Sequence, residues 1–307
     1  MEAASILAQQ TAVMCLLMAL GYFIFKRGLI TAPGTRDFTN MLMWVASPAA
    51  ILNSFFIPRT AEKLNGLGVA VLLTLAAMLL SIVLAHLLFR RHPIEDFGVS
   101  FSNVGFIGIP LVSAVLGPGA VFYIAPFSAV MGVLQWTWGV FTITRNKKVI
   151  SVRKILTNPA MVALLISLAV FLPGFGDRLP AVVTSPVSML AAVNAPLAMV
   201  LMGCYLAQAD LKTVFADRWN WIAAAVRLLL VSSVTAVLFC LAPAQYTDAR
   251  IAVYIGAIGP VGMNTATLAS LFGKDSAKAV AIVCLSTVFA VLTMPLLMAF
   301  SSWLWAL

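Results

Sequence analysis

The feature that most constrains this chain is a series of apolar runs, each long enough to cross a lipid bilayer. About 20 apolar residues in a helix span the hydrocarbon core. Of the 307 residues, 62% are hydrophobic and 9% are charged, whereas a soluble domain carries about 25% charged residues. The sequence therefore predicts an all-α polytopic membrane protein whose surroundings are a lipid bilayer. Ten runs meet the requirement: 5–25, 37–57, 65–88, 95–116, 120–144, 155–174, 180–208, 218–241, 249–271 and 277–305.

The basic residues between these runs predict how the chain is oriented. Loops on one side hold fourteen lysines and arginines, and loops on the other side hold only Arg59, Lys63, Arg178 and Arg250. Because short cytoplasmic loops carry the excess of positive charge, both termini are predicted on the outer side of the membrane. The net charge of +9 is then a topology signal, and no nucleic-acid partner is expected.

Two of the ten runs are interrupted by glycine and proline where a continuous helix is otherwise expected. The interruptions lie at residues 102–111 in the fourth run and 259–265 in the ninth. Proline has no N–H to donate, and a glycine costs about 1 kcal/mol relative to alanine in a helix. In hydrocarbon, freed backbone groups are tolerated only where protein or a water-filled cavity covers them. Breaks of this kind are typical of a solute-binding site.

The two interruptions occupy corresponding places in two halves of five runs each. Residues 46–48 (Ala-Ser-Pro) in the second run likewise match residues 194–196 (Asn-Ala-Pro) in the seventh. Because five is an odd number, the second half must cross the membrane upside down relative to the first. The pattern predicts ten transmembrane helices in a 5+5 inverted repeat with helices 4 and 9 broken, which is the arrangement found in many transporters.

Residues 103–111 (Asn-Val-Gly-Phe-Ile-Gly-Ile-Pro-Leu) resemble a motif of the auxin efflux carrier family. In that motif an asparagine is followed five residues later by Gly-Ile-Pro-Leu, and a glycine, here Gly117, closes the span. The resemblance covers essentially the whole chain, and it extends to residues 225–227, Pro260, residues 286–287 and residues 294–295. The family includes bacterial carriers and the plant PIN auxin transporters, and it is similar in fold to the bile acid sodium symporters.

The resemblance implies a division into a scaffold and a moving transport domain. Helices 1, 2, 6 and 7 would form the scaffold, in residues 1–58 and 146–212. Helices 3–5 and 8–10 would form the transport domain, in residues 59–145 and 213–307. Helices 4 and 9 would cross at the substrate, and helices 2 and 7 would provide a homodimer contact. A short basic link between runs five and six replaces the long loop of plant members, so a minimal prokaryotic carrier is expected.

The predicted substrate-binding residues lie at the two breaks and at one further polar position. A half-helix that begins at a break presents free N–H groups and about half a positive charge. Side-chain amides at the same depth donate to a carboxylate, although they can equally satisfy freed backbone groups. Proline suits the first turn of a helix. The helix in the second half of the fourth run is therefore predicted to start at Pro110. The predicted set is Asn103, Gly105, Gly108, Pro110, Pro260, Gly262, Asn264, Thr265 and Asn194.

Arg227 is the only charged residue well inside a run. It follows Arg218 by nine residues, which places it about 13 Å deeper at 1.5 Å per residue. A charge at this depth is by default a functional hypothesis, as a charge partner for the substrate or as a conformational latch. The alternative is that Arg227 pairs with carbonyl groups at a broken helix.

The ten acidic residues lie at the ends of runs or in loops, and this bears on the coupling ion. Residues 260–264 contain no carboxylate, which disfavours a sodium site of the bile-acid-symporter kind. Proton coupling would have to use Glu95, Asp96 or His86, although His86 also fits a purely interfacial role. Voltage-driven anion efflux needs no titratable group, since one charge gains about 2.3 kcal/mol per 100 mV. No cofactor, metal site or catalytic residue is predicted.

The resemblance thus implies a carrier in a bacterial inner membrane that moves a small organic anion, a mono- or dicarboxylate, by alternating access. Within the same class, the alternative is a sodium-coupled organic-anion importer. A membrane enzyme would need paired carboxylates, a Cys/His dyad or metal ligands at depth, and the apolar runs contain none of these. A non-transporting receptor or scaffold is the remaining alternative, and it would not require two broken helices in matching positions.

Overall fold

The computed structural model describes residues 2–209 and 211–306, without the side chains of residues 2–8, 147, 152 and 211–213. The predictions for Asp210, for the two terminal residues and for the side chain of Lys212 fall outside this description. The described chain is helical apart from loops and one isolated β-bridge, so the all-α prediction is confirmed. The α-helices are α1 Glu2–Lys26, α2 Ala32–Met41, α3 Ser47–Ser54, α4 Ala61–Phe89, α5 Pro93–Ser100, α6 Ile109–Leu116, α7 Val121–Leu134, α8 Val140–Thr144, α9 Val152–Leu156, α10 Pro159–Phe171, α11 Ala181–Gln208, α12 Leu211–Ala216, α13 Arg218–Ala225, α14 Ser232–Leu238, α15 Thr247–Ile258, α16 Asn264–Leu271 and α17 Ser276–Trp305.

Within the described residues, six helical segments are long and apolar enough to cross a membrane: Gln9–Lys26, Ala61–Phe89, Pro118–Thr144, Ala181–Gln208, Arg218–Leu241 and Ser276–Trp305. Shorter apolar helices cover Val104–Leu116 and Pro159–Phe171. A polytopic membrane protein is therefore confirmed. The number of ten spans and the outward orientation of both termini stay predictions.

The described chain contains four π-helical turns, at Leu42–Ala46, Val104–Gly108, Gln135–Gly139 and Val226–Val231. A π turn adds one residue to the helical repeat and is frequent at functional sites. At the second of them the Ile109 N–H donates to the carbonyl of Val104, five residues back, just before Pro110. Proline lacks an N–H and its ring crowds the preceding turn, so a widened turn suits this position.

The π turn Val104–Gly108 changes where the second half of the fourth apolar run begins as a helix. The α-helical part begins at Ile109 with Pro110 in its first turn, but the helix itself resumes at Val104. Asn103 therefore occupies the position that precedes the helix, and its carbonyl accepts hydrogen bonds from Ile107 at 3.0 Å and Gly108 at 3.2 Å. The predicted helix start at Pro110 was wrong because a π turn precedes the α-helical turn that contains this proline.

The two interrupted helices meet at their breaks. Ser102 and Val261 form an isolated antiparallel bridge, in which the Asn103 N–H donates to the carbonyl of Pro260 at 2.8 Å and the Gly262 N–H donates to that of Phe101 at 3.0 Å. Each break thus satisfies backbone groups of the other. A Cβ atom on Gly262 would lie 2.8 Å from the carbonyl oxygen of Ser102, so this close approach requires glycine.

Helices α1 and α11 pack with their backbones in direct contact. A Cβ atom on Gly203 of α11 would lie 1.9 Å from the carbonyl oxygen of Met18, and one on Gly21 of α1 would lie 2.0 Å from that of Val200. Small residues allow this approach, which is a common source of helix association in membranes. The Cys204 thiol donates to the carbonyl of Gly21 at 3.4 Å, next to the contact.

Replacing Gly203 with alanine is expected to destabilise the protein, because the new methyl group would push α1 and α11 apart. Overpacking of this kind costs about 1–3 kcal/mol, so the melting temperature of the purified protein in detergent should fall by several degrees. Gly68→Ala is the matched control, because nothing lies within 4 Å of a Cβ atom at that helical glycine. Equal melting temperatures for the two variants would contradict the close packing.

Candidate functional site

A cavity of about 80 Å³ lies where the two breaks meet. This volume is several times what one water molecule needs, so a small solute fits. Its walls come from both breaks, from α7 with the π turn that follows it, and from the ends of α2, α3 and α10. Its polar and glycine lining residues are Ser47, Ser102, Asn103, Gly105, Ser128, Gly132, Gln135, Asn158, Gly262 and Asn264.

Three side-chain polar atoms at the cavity are buried and have no hydrogen-bond partner. They are Nδ2 of Asn103, Nε2 of Gln135 and Oγ of Ser102. Asn103 is 3% exposed and Gln135 is 2% exposed. Buried polar groups are nearly always paired, and an unpaired one costs about 1–3 kcal/mol. Two of the three are amide N–H groups, so the cavity offers donors to a bound acceptor such as a carboxylate.

Asn264 connects the second break to the π turn at Gln135–Gly139. Its Nδ2 donates to Oε1 of Gln135 at 2.8 Å. This bond uses the only acceptor of the Gln135 side chain and leaves its NH₂ group for the cavity. Asn103 at the first break and Gln135 in the π turn after α7 thus present donors from two different segments.

The opposite wall is built by residues of α3 and α10. Oγ of Ser47 donates to Oδ1 of Asn194 at 2.8 Å, which fixes the orientation of both side chains. Asn158 caps α10, and its Oδ1 accepts from the N–H of Ala160 at 3.0 Å. A Cβ atom on Gly132 would lie 2.8 Å from Nδ2 of Asn158, so glycine keeps this wall close to α7.

Four of the nine predicted site residues line the cavity, and the other five do not. The residues that line it are Asn103, Gly105, Gly262 and Asn264. The predicted residues that do not line it are Gly108, Pro110, Pro260, Thr265 and Asn194. Among these, Pro260 accepts the Asn103 N–H and Asn194 accepts from Ser47. A role in substrate binding stays a prediction for all nine.

Several lining residues were missed by the sequence reasoning. The predicted set does not contain Gln135 or Ser128, although both line the cavity. Asn158 carries a recognisable signal, since asparagine before proline predicts the start of a helix. That signal identifies a cap and does not reveal that the cap faces the cavity.

Arg227 lies behind the breaks, fully buried in the π turn Val226–Val231. Its Nε donates to the carbonyl of Gly259 at 3.0 Å, and its Nη1 donates to the carbonyl of Val99 at 3.1 Å and to Oγ of Ser81 at 2.9 Å. Its Nη2 donates to the carbonyl of Ala257.

These contacts place one cation at the C-terminal ends of both α5 and α15. Helix C-termini carry unsatisfied carbonyls and about half a negative charge each, which a cation stabilises. Arg227 is not among the residues that line the cavity. Its geometry matches the alternative in which it pairs with carbonyls at the broken helices.

A second chamber of about 280 Å³ continues from the cavity towards the basic segment at residues 145–154. The two spaces share lining residues, among them Gln135, Asn158 and Asn264. The chamber is also lined by Lys154, whose Nζ lies 4.6 Å from the ring centroid of Trp136. A cation over an aromatic face is attracted by the ring quadrupole, so the ammonium is held at the chamber wall.

The model of a family described as membrane transport protein matches residues 7–298, nearly the whole chain. A search of curated proteins gives no match.

Replacing Arg227 with methionine is expected to destabilise the protein strongly, because three carbonyl groups and Ser81 would lose their donor inside the membrane. Hydrogen bonds to charged groups contribute about 1.5–3 kcal/mol each, so the melting temperature should fall by ten degrees or more, or the protein should fail to accumulate. Arg218→Met, nine residues earlier and exposed, is the control. A Tm of Arg227→Met close to that of the control would show that the carbonyl contacts contribute little.

Proposed function

The chain belongs to the membrane transport protein family, and we propose that it is a carrier for a small organic anion, a mono- or dicarboxylate. In this proposal the anion binds in the cavity at the two breaks and crosses the membrane by alternating access. The observation that carries the proposal is the pair of buried, unpaired amide donors of Asn103 and Gln135 at that cavity.

The electrostatics of the cavity support an anion in preference to a cation. Helices resume after both breaks, at Val104 and at Asn264, and their first turns direct free N–H groups and positive partial charge towards the breaks. The negative ends of α5 and α15 are occupied by Arg227 on the far side. A bound carboxylate would therefore meet donors from side chains and from helix N-termini.

The lining residues of the cavity carry no formal charge. A carboxylate held by neutral donors is bound less tightly than one held by an arginine, because charge-assisted pairs are about twice as strong. Weak, reversible binding suits a carrier, which must release its substrate on the other side in every cycle.

We also propose the scaffold and transport division of residues 1–58 and 146–212 against 59–145 and 213–307. The packing supports it, since α11 packs against both α1 and α3, α3 packs against α10, and the two breaks are joined within the other set. The cavity lies on the border, with Ser47 and Asn158 on the scaffold side and Asn103 and Gln135 on the other. Relative motion of the two sets would change access to the cavity.

The second chamber supports an inward-facing state. It extends the cavity towards the basic segment, which the distribution of lysine and arginine predicts to be cytoplasmic. We propose that the anion enters or leaves through this chamber, in a bacterial inner membrane with both chain termini outside. Association of two copies through the scaffold helices completes the proposal.

Carboxylates are expected to stabilise the purified protein, because a ligand that binds only the native state raises its stability by mass action. A thermal-shift screen of lactate, malonate, malate and larger mono- and dicarboxylates should give at least one increase in Tm. Asn103→Ala should abolish that increase and lower transport by about tenfold, through loss of one donor to a charged group.

Asn53→Ala is the control for this experiment, because Asn53 lies in a scaffold helix and does not line the cavity. Stabilisation by neutral or cationic solutes, with no response to any carboxylate, would refute an organic anion as the substrate. A full response in Asn103→Ala would remove the assigned role of that side chain.

Lys154 is expected to raise the local anion concentration at the chamber, since a cation at the mouth of a cleft attracts anions. Lys154→Gln should increase the KM for transport from the basic side several-fold at low salt and leave kcat nearly unchanged. Arg153→Gln is the matched control, because it removes the same charge from the neighbouring exposed position, outside the lining of the chamber. Equal KM values in the two variants would indicate a general surface-charge effect.

A further inference from the structure

A histidine–aspartate pair, with the aspartate buried, joins α4 to α5. Oδ2 of Asp96 lies 2.8 Å from Nδ1 of His86, while its other carboxylate oxygen, Oδ1, is buried without a hydrogen-bond partner. The Asp96 side chain is 0% exposed, whereas the side chain of His86 is 36% exposed. One end of the pair is therefore enclosed by protein and the other can exchange protons with its surroundings.

The pair has two charge states that differ by one proton. With the proton bound, an imidazolium faces a carboxylate and the pair is neutral. When the proton leaves, a neutral imidazole faces a carboxylate and the pair carries one negative charge. Because Asp96 is enclosed by protein, where the dielectric constant is low, this difference of one charge acts strongly on the neighbouring groups.

The other charged groups around α5 contact one another and not the His86–Asp96 pair. Nζ of Lys278 lies 2.6 Å from Glu95 and 3.2 Å from Asp217, and Nδ1 of His92 lies 3.9 Å from Glu95. The pKa of Asp217 lies below its ordinary value, chiefly because the N–H of Trp219 donates to it.

Two guanidinium groups complete the surroundings of the pair. Arg145, at the end of α8, acts on Asp96 through its charge and donates to the carbonyl of Arg90. Arg227 bonds to the carbonyl of Val99, farther along α5. The His86–Asp96 pair is thus separate from the Glu95–Lys278–Asp217 network, and Arg145 is the cation that faces it.

Two physical connections lead from this pair to the substrate cavity. The first is Trp138, whose ring meets that of His86 edge-on at 5.1 Å and which belongs to the π turn Gln135–Gly139. Gln135, three residues earlier in the same turn, lines the cavity and accepts from Asn264. A rearrangement of Trp138 therefore acts on the turn that presents Gln135.

The second connection is α5 itself, which leads from Asp96 to the break at Asn103 in seven residues. Oγ of Ser100 donates to the carbonyl of Asp96 at 2.7 Å within this half-helix. A Cβ atom on Gly139 would lie 2.4 Å from the ring of Phe97, so α5 and the π turn pack without free space between them. Since packed elements shift together, a displacement of α5 also displaces the turn.

We propose that His86 and Asp96 form a proton-binding site of the transport cycle, which binds and releases one proton in each turnover. The inference rests on the proposed anion transport and adds its coupling ion. The proton binds at the imidazole nitrogen of His86 and leaves from it, and no other bond is made or broken. In the inward-facing arrangement the exposed side of His86 exchanges this proton with the side predicted to be cytoplasmic.

The test uses the full chain in proteoliposomes, with radiolabelled malate, malonate and lactate as parallel probes. Counterflow exchange, without a pH gradient, measures anion movement alone. Accumulation driven by an imposed pH gradient, without an anion gradient, measures coupling, and one coupled proton permits up to about tenfold accumulation per pH unit. Wild type should show both. Asp96→Asn and His86→Gln should keep counterflow and lose the driven accumulation, whereas His92→Gln should keep both.

The outcomes separate this inference from the function on which it rests. Counterflow without pH-driven accumulation in wild type overturns the proton site and leaves the carrier intact. Driven accumulation in His86→Gln and Asp96→Asn at the wild-type level also overturns it. If Asp96→Asn is inactive in both assays, His86→Gln decides, with its Tm as the check of folding. If wild type exchanges none of the probes while the thermal-shift screen also shows no carboxylate binding, the proposed function fails and the inference fails with it.

Discussion

The structure depends on how two broken helices satisfy their backbone hydrogen bonds inside a membrane. Hydrocarbon offers no water to the freed N–H and carbonyl groups, so each unpaired group would cost several kcal/mol. Backbone groups of the two breaks form hydrogen bonds with each other at the Ser102–Val261 bridge. Arg227 donates hydrogen bonds to the carbonyl groups at the ends of α5 and α15. With the backbone paired in this way, side-chain donors at the same place are left for a solute. In the proposed carrier, stability and substrate binding therefore depend on the same few residues, but on different atoms of them.

Glycine and proline at the breaks, and the polar residues beside them, were evident from the sequence because their effect on a helix is local. The positions of both interruptions are confirmed, and Asn103 and Asn264 lie on one cavity as expected for paired breaks. The location of Arg227 near the breaks also follows from its depth in the eighth apolar run. The family match over residues 7–298 confirms the resemblance that the motif at residues 103–111 indicated.

The remaining features depend on contacts between segments that are distant in the chain. Gln135 joins the site only because Asn264, 129 residues later, donates to it. Asn158 faces the cavity because Gly132 leaves room for it. The π turns leave no reliable mark in a single sequence, since they differ from α-helical turns by one residue. The start of the helix at Val104 was missed for this reason, and the predicted count of ten spans rests on length and charge alone.

The contacts of Arg227 also bear on how the chain is assembled during synthesis. Ser81 and Val99 precede Arg227 in the chain, whereas Ala257 and Gly259 follow it. An arginine at the centre of an inserting helix costs about 2.5–3.5 kcal/mol, and here the apolar residues of Arg218–Leu241 have to offset that cost. When this segment leaves the ribosome, half of its permanent hydrogen-bond acceptors are already in the membrane and the other half have yet to be translated. The acceptors in α4 and α5 are therefore available to the guanidinium group before those at the end of α15 exist.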